Sequence, residues 1–149
     1  MKRYSVLLLL ILIISCKSTH RIVKLEPSAV ENSLKTKVTE LGKRVLNSCN
    51  TSKFKPFTTE EATPEVISNI TPDKISKTCK KFLFKYGKFE SIQLMEILQN
   101  KSTKSKIFRY KAIYERKRII KELRITVNEE DKISEIKSTD WTDIFDINK

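Results

Sequence analysis

The stretch FESIQLMEILQ (89–99), followed by KIFRYKAIYER (106–116), IIKELRITVN (119–128) and KISEIKS (132–138), decides the fold. Each segment is dense in Ile, Val, Leu, Phe and Tyr, which suit a pleated, half-buried surface, and short polar runs separate them. Four strands of one antiparallel sheet are predicted. Alternation sorts their faces: Phe108, Tyr110, Ala112 and Tyr114 share one side, Arg109, Lys111, Ile113 and Glu115 the other. In the third segment, Ile119, Lys121, Leu123, Ile125 and Val127 oppose Ile120, Glu122, Arg124 and Thr126. The first alternates through Ile92, Leu94, Glu96 and Leu98, but Met95 and Ile97 break parity, which reads as a β-bulge or a second buried face.

Helices are expected before the sheet. Ser28 to Glu31 has capping-box spacing just after Pro27, and Val30, Leu34, Val38, Leu41 and Val45 recur at helical intervals. The polar face of that helix mixes Lys35, Lys37, Glu40 and Lys43, so packing on a core is favoured over lying on a membrane. Thr63-Pro64 and Thr71-Pro72 each pair an N-cap hydroxyl with proline at the first helical position. The first opens a short helix through Ile70. The second opens a helix over 73–86 with the stripe Ile75, Cys79, Phe82 and Tyr86, stopped by Gly87.

Upstream, Lys2 and Arg3 precede an apolar run over 6–14, too short for a bilayer span of about 20 residues and suited to an export signal. Ile13-Ile14-Ser15-Cys16 resembles the bacterial lipobox. That resemblance implies cleavage before Cys16, diacylglycerol on its sulfur and anchoring by acyl chains. Lys17 following the lipidated cysteine points, by the same resemblance, to the outer membrane facing the periplasm. The organisation expected is a signal peptide over 1–15, a tether over 16–27 containing the single histidine, His20, and one domain over 28–149.

Cys49 and Cys79 remain as an even pair in an exported domain, which suggests a disulfide; two buried free thiols are the alternative. Neither has a CxxC spacing or a nearby His, so metal binding and redox catalysis are not expected. The chain is 39% hydrophobic and 32% charged, with net charge +12, and lysines outnumber arginines 23 to 7. Such a balance suits anionic partners. Nucleic acid is not expected, because export removes the usual partner and no nucleic-acid motif is present.

A helix, a short helix, a third helix, then a strand entered through Tyr86-Gly87-Lys88-Phe89 and three more strands resemble the nuclear transport factor two class, and within it small bacterial domains. The resemblance covers residues 28–139. It implies an α+β fold in which a curved four-stranded antiparallel sheet wraps three N-terminal helices as a cone with a cavity at one end. Enzymes of that class place acid–base pairs inside the cone. This domain has no His, and Tyr110, Tyr114 and Glu96 form no nucleophile–base set, so a non-catalytic binding protein without cofactor or metal is expected. Two binding modes follow. A basic sheet face of Arg109, Lys111 and Arg124 would contact an envelope protein or anionic lipid. Alternatively, a cone pocket near Phe108, Tyr110, Tyr114 and Trp141 would carry a small apolar ligand. Trp141 itself is read as part of a tail closing the core, or as an aromatic lid or partner anchor.

Overall fold

In the computed structural model, which describes residues 22–116 and 120–147, the sheet has five strands rather than four. In chain order these are β1 (Ile22–Leu25), β2 (Phe89–Asn100), β3 (Lys106–Tyr114), β4 (Lys121–Val127) and β5 (Ile133–Asp140), and each pairs antiparallel with the next. The expected four-stranded cone is corrected accordingly: a strand precedes the helices and takes the edge beside β2. Its four residues fall inside the predicted tether and are too few to display a period. Its partners, from Ile97 to Asn100, lie more than seventy positions away, so the pairing has no local signature. The signal segment, Cys16, His20 and the basic turn at Lys117-Arg118 lie outside the described residues.

Three α-helices cover one face: α1 (Asn32–Thr51), α2 (Pro64–Asn69) and α3 (Pro72–Tyr86). The two Thr-Pro starts behave as expected, with Thr63 accepting from the Val66 amide and Thr71 from the Lys74 amide. The capping box does not form. Pro27, Ser28 and Ala29 make a single 3-10 turn, and Glu31 takes the N-cap position of α1 without a side-chain bond to the backbone. Proline at the start of that turn fixes the chain one step early, so Ser28 lies outside α1.

The α1 stripe of Leu34, Val38, Leu41 and Val45 is buried against the sheet. Gly42 permits this approach, because a Cβ there would come within 2.9 Å of Ile125 Cδ1 and 3.0 Å of Leu123 Cδ2. Arg44 holds the loop before α2 by a bidentate pair to Glu61, at 2.8 and 2.5 Å. Backbone bonds between that loop and Ile133 then fasten it beside β5. At the end of α3, Gly87 adopts φ 77°, and a Cβ would lie 2.8 Å from Glu115 Cβ. Only glycine reverses the chain into β2 there.

Facing follows the predicted alternation in β3 and β4. Phe108, Tyr110, Ala112, Leu123, Ile125 and Val127 are buried beneath the helices. In β2 the parity break is a register shift between Leu94 and Glu96. Met95 is left exposed, and beyond it Ile97 pairs with Phe108 while Glu96 pairs with Arg109. The bulge therefore moves Glu96 away from the helices, onto the outer side of the sheet.

Candidate functional site

Between α3 and the last three strands the core does not close. A cavity of about 320 Å³ remains, with Val45 and Leu46 of α1, Ile75, Cys79 and Phe82 of α3, and Leu123 of β4 among its walls. Its exposed rim carries Asn69, Lys74, Thr78 and Ser138. Ser138 faces inward by register with Leu123 yet stays exposed, which marks where α3 fails to cover β5. The opening has a local cause: α2 is only six residues long, and at Ile70 the backbone leaves the helical conformation and turns toward α3 before β5 is covered. A concave apolar wall with a few convergent polar groups is the usual form of a small-molecule site.

Of the four residues expected to line the pocket, only Tyr114 does so. It packs on Tyr86 and Phe89 with ring centroids 5.7 and 5.9 Å away. Burial, and then the neighbouring Tyr86, push its hydroxyl well above the usual phenol range, so it stays a neutral donor. Phe108 and Tyr110 are core residues instead. The Tyr110 hydroxyl meets Thr39 Oγ1 of α1 at 3.1 Å, and burial, partly offset by that bond, raises its pKa to about 12. Trp141 lies on the opposite side of the sheet altogether.

That opposite side was expected to be a free basic face, and here the structure requires a correction. Arg109 is 0%, Glu122 1% and Arg124 4% exposed. Arg109 donates from Nε and Nη2 to both Glu122 oxygens, at 3.0 and 2.7 Å, and from Nη1 to Glu96. Arg124 Nε donates to Glu122 Oε1 at 2.8 Å. The C-terminal segment lies over this cluster. Arg109 Nη2 donates to the Thr142 carbonyl at 2.8 Å and Arg124 Nη1 to the Asp146 carbonyl at 3.0 Å. The Trp141 ring stacks 4.6 Å from the Arg109 guanidinium, and Phe145 lies 4.5 Å from that of Arg124. Lys111, half-buried, points its Nζ at Trp141 from 4.9 Å.

The two arginines are thus paired with Glu122 and Glu96 and withdrawn from the surface. Burial pushes the Glu122 carboxyl up, but the hydrogen bonds from Arg109 and Arg124 outweigh it and hold the group below its ordinary value. Glu96, grouped by alternation with Ile92, Leu94 and Leu98, is committed instead to Arg109 and to Lys24 of β1. What the sequence reading missed is the carboxylate at the centre. Its signal was available, since Glu122 shares outward parity with Arg124 and lies one strand away from Arg109.

Cys49 and Cys79 form a disulfide that fixes α3 to the end of α1 beside the cavity. Closing a loop of 30 residues contributes ~3–4 kcal/mol in the chain-entropy description. Among the described residues no three His, Cys, Asp or Glu side chains gather as a metal site, and no helix is long and apolar enough to cross a membrane. The fold and cavity define an α+β domain: three helices on a five-stranded antiparallel sheet, with an open apolar concavity under the third helix. Comparison with protein-family models, curated proteins and solved structures finds no match for this chain.

Proposed function

We propose that this chain is a non-catalytic, ligand-binding lipoprotein of a bacterial envelope, anchored through Cys16 and holding a small apolar molecule beneath α3. The observation that carries the reading is the cavity of about 320 Å³, apolar within and polar only at its rim. Apolar walls favour an uncharged body by excluding water from both surfaces. Tyr114, Thr78 and Ser138 supply hydrogen bonds that would orient one polar end. The ionisable groups on the lining are Lys74 and Tyr114, a cation at the rim and a phenol held neutral, which suits binding better than proton transfer. Anchoring rests on the charge, apolar run and Cys-terminated box of residues 1–16. A periplasm-facing position at the outer membrane follows from Lys17 by the same resemblance.

Titration of the full chain with the neutral apolar fluorophore N-phenyl-1-naphthylamine tests the pocket. One saturable site is expected, abolished by Ile136→Trp, which fills the cavity from β5. The variant should keep its thermal midpoint within a few degrees, because Ile136 is only partly buried. Binding that is absent in the parent, or unchanged in the variant, would contradict the reading. Mass analysis of acylated Cys16 in protein from its own host tests the anchor separately.

A further inference from the structure

Six lysines follow one another along and just beyond α3: Lys74, Lys77, Lys80, Lys81, Lys85 and Lys88, all exposed. At 100° per residue the five on α3 itself spread over the arc away from Ile75, Cys79, Phe82 and Tyr86, the stripe that packs inward, and Lys88 follows the chain reversal at Gly87. In the middle of that arc stands Phe84, 83% exposed. Among the described residues no ion pair engages any of the six. Lys74 Nζ donates to the Asn69 side chain, and Lys85 Nζ lies 5.3 Å from the Tyr86 ring. The acids nearest in sequence are Asp73 in the first turn and Glu90; Glu115, close in space, accepts at Oε2 from the Lys88 amide. Arg116 adds a further exposed cation, donating to the Phe84 carbonyl at 2.5 Å.

We infer that the outer face of α3 is a docking surface for an anionic phospholipid bilayer, with the lysines on the headgroups and Phe84 inserted between them. Charge complementarity selects a polyanionic partner, and the details select among polyanions. Lysine is a mobile point charge that suits a fluid array of headgroups, whereas fixed, bidentate phosphate or carboxylate recognition favours arginine, which α3 lacks. A large aromatic surrounded by cations and left in water is costly unless its partner is apolar a few ångströms below a negative surface. The inner stripe of α3 is already committed to the core, so the helix docks through charge and one aromatic anchor without leaving the domain. This surface does not depend on what fills the cavity, so failure of the naphthylamine titration leaves it standing.

The full chain carrying Phe84→Trp, reconstituted with vesicles of phosphatidylglycerol whose acyl chains are brominated, provides the test. Bromine should strongly quench the tryptophan introduced on α3, while the parent, whose only tryptophan is Trp141 on the opposite side of the sheet, stays bright. Phosphatidylcholine vesicles should quench neither protein. Adding Lys77→Gln, Lys81→Gln and Lys85→Gln should lower the docking constant roughly a hundredfold, as expected for three cations near an anionic surface. Quenching of Phe84→Trp no greater than that of the parent, equal quenching by the two lipids, or indifference to the triple substitution would overturn the assignment. The first of these results would point instead to an acidic protein as the partner.

Discussion

Two clusters of cations in this protein carry the same sign and meet opposite fates. Arg109 and Arg124, on neighbouring strands, are withdrawn from water, share Glu122 and are capped by Trp141, Phe145 and two backbone carbonyls. Lys77, Lys81 and Lys85, on one helix, have among the described residues neither acids nor rings of another element over them and stand in solvent around an exposed phenylalanine. The first cluster holds the C-terminal segment on the sheet; the second is free to meet something outside. The difference lies in what the rest of the chain places above each group. Guanidinium planes serve the first role because they accept stacking and fixed hydrogen bonds together.

Removing the shared carboxylate should have the largest effect. Glu122→Gln leaves two buried guanidinium groups around a neutral amide and is expected to cost about 3–5 kcal/mol in urea unfolding. A loss under about 1 kcal/mol would mean the cluster is hydrated and the contrast with α3 is false. Acid should act through the same group. Because its folded pKa lies below the ordinary value of 4.5, the stability it contributes is complete above that value and declines as pH falls through it toward the folded pKa. Unfolding free energy should therefore fall more steeply below about pH 4.5 in the parent than in Glu122→Gln.

Smaller effects sharpen the same contrast. Trp141→Ala removes the ring over Arg109 and is expected to destabilise by about 1–2 kcal/mol, read by thermal unfolding. Neutralising Lys77, Lys81 and Lys85 to Gln should change unfolding free energy by no more than about 0.5 kcal/mol, since these side chains are exposed and the one contact among them is that of Lys85 with the ring of its neighbour Tyr86. A larger loss would place them among the structural charges.

Much of this architecture was legible in the residues. Alternation in β3 and β4 gave both faces correctly, the Thr-Pro pairs located two helix starts, Gly87 marked the reversal into the sheet, and the odd placing of Met95 signalled a bulge. The cysteine pair was also readable, as the even number left once Cys16 was assigned to the expected lipobox. Other features escaped for physical reasons. β1 is four residues long and finds its partner across the helices. The cover over Arg109 and Arg124 is a segment without regular structure, whose carbonyls carry no sequence signature. Alternation placed the arginines on the outer side but could not say that this side is roofed. The cavity was expected around the bulky tyrosines of β3, yet Tyr110 is consumed by packing against α1. The opening lies where a short α2 leaves β5 uncovered.

Covalent footprinting of the folded full chain by mass spectrometry addresses the central contrast most directly, with phenylglyoxal for arginine and acetylation for lysine. Arg116 should react quickly, Arg109 and Arg124 only after denaturation, and Lys77, Lys80 and Lys81 at the rate of free lysine. Modification of Arg109 or Arg124 as fast as Arg116 would show the sheet's outer side open to solvent and contradict the account.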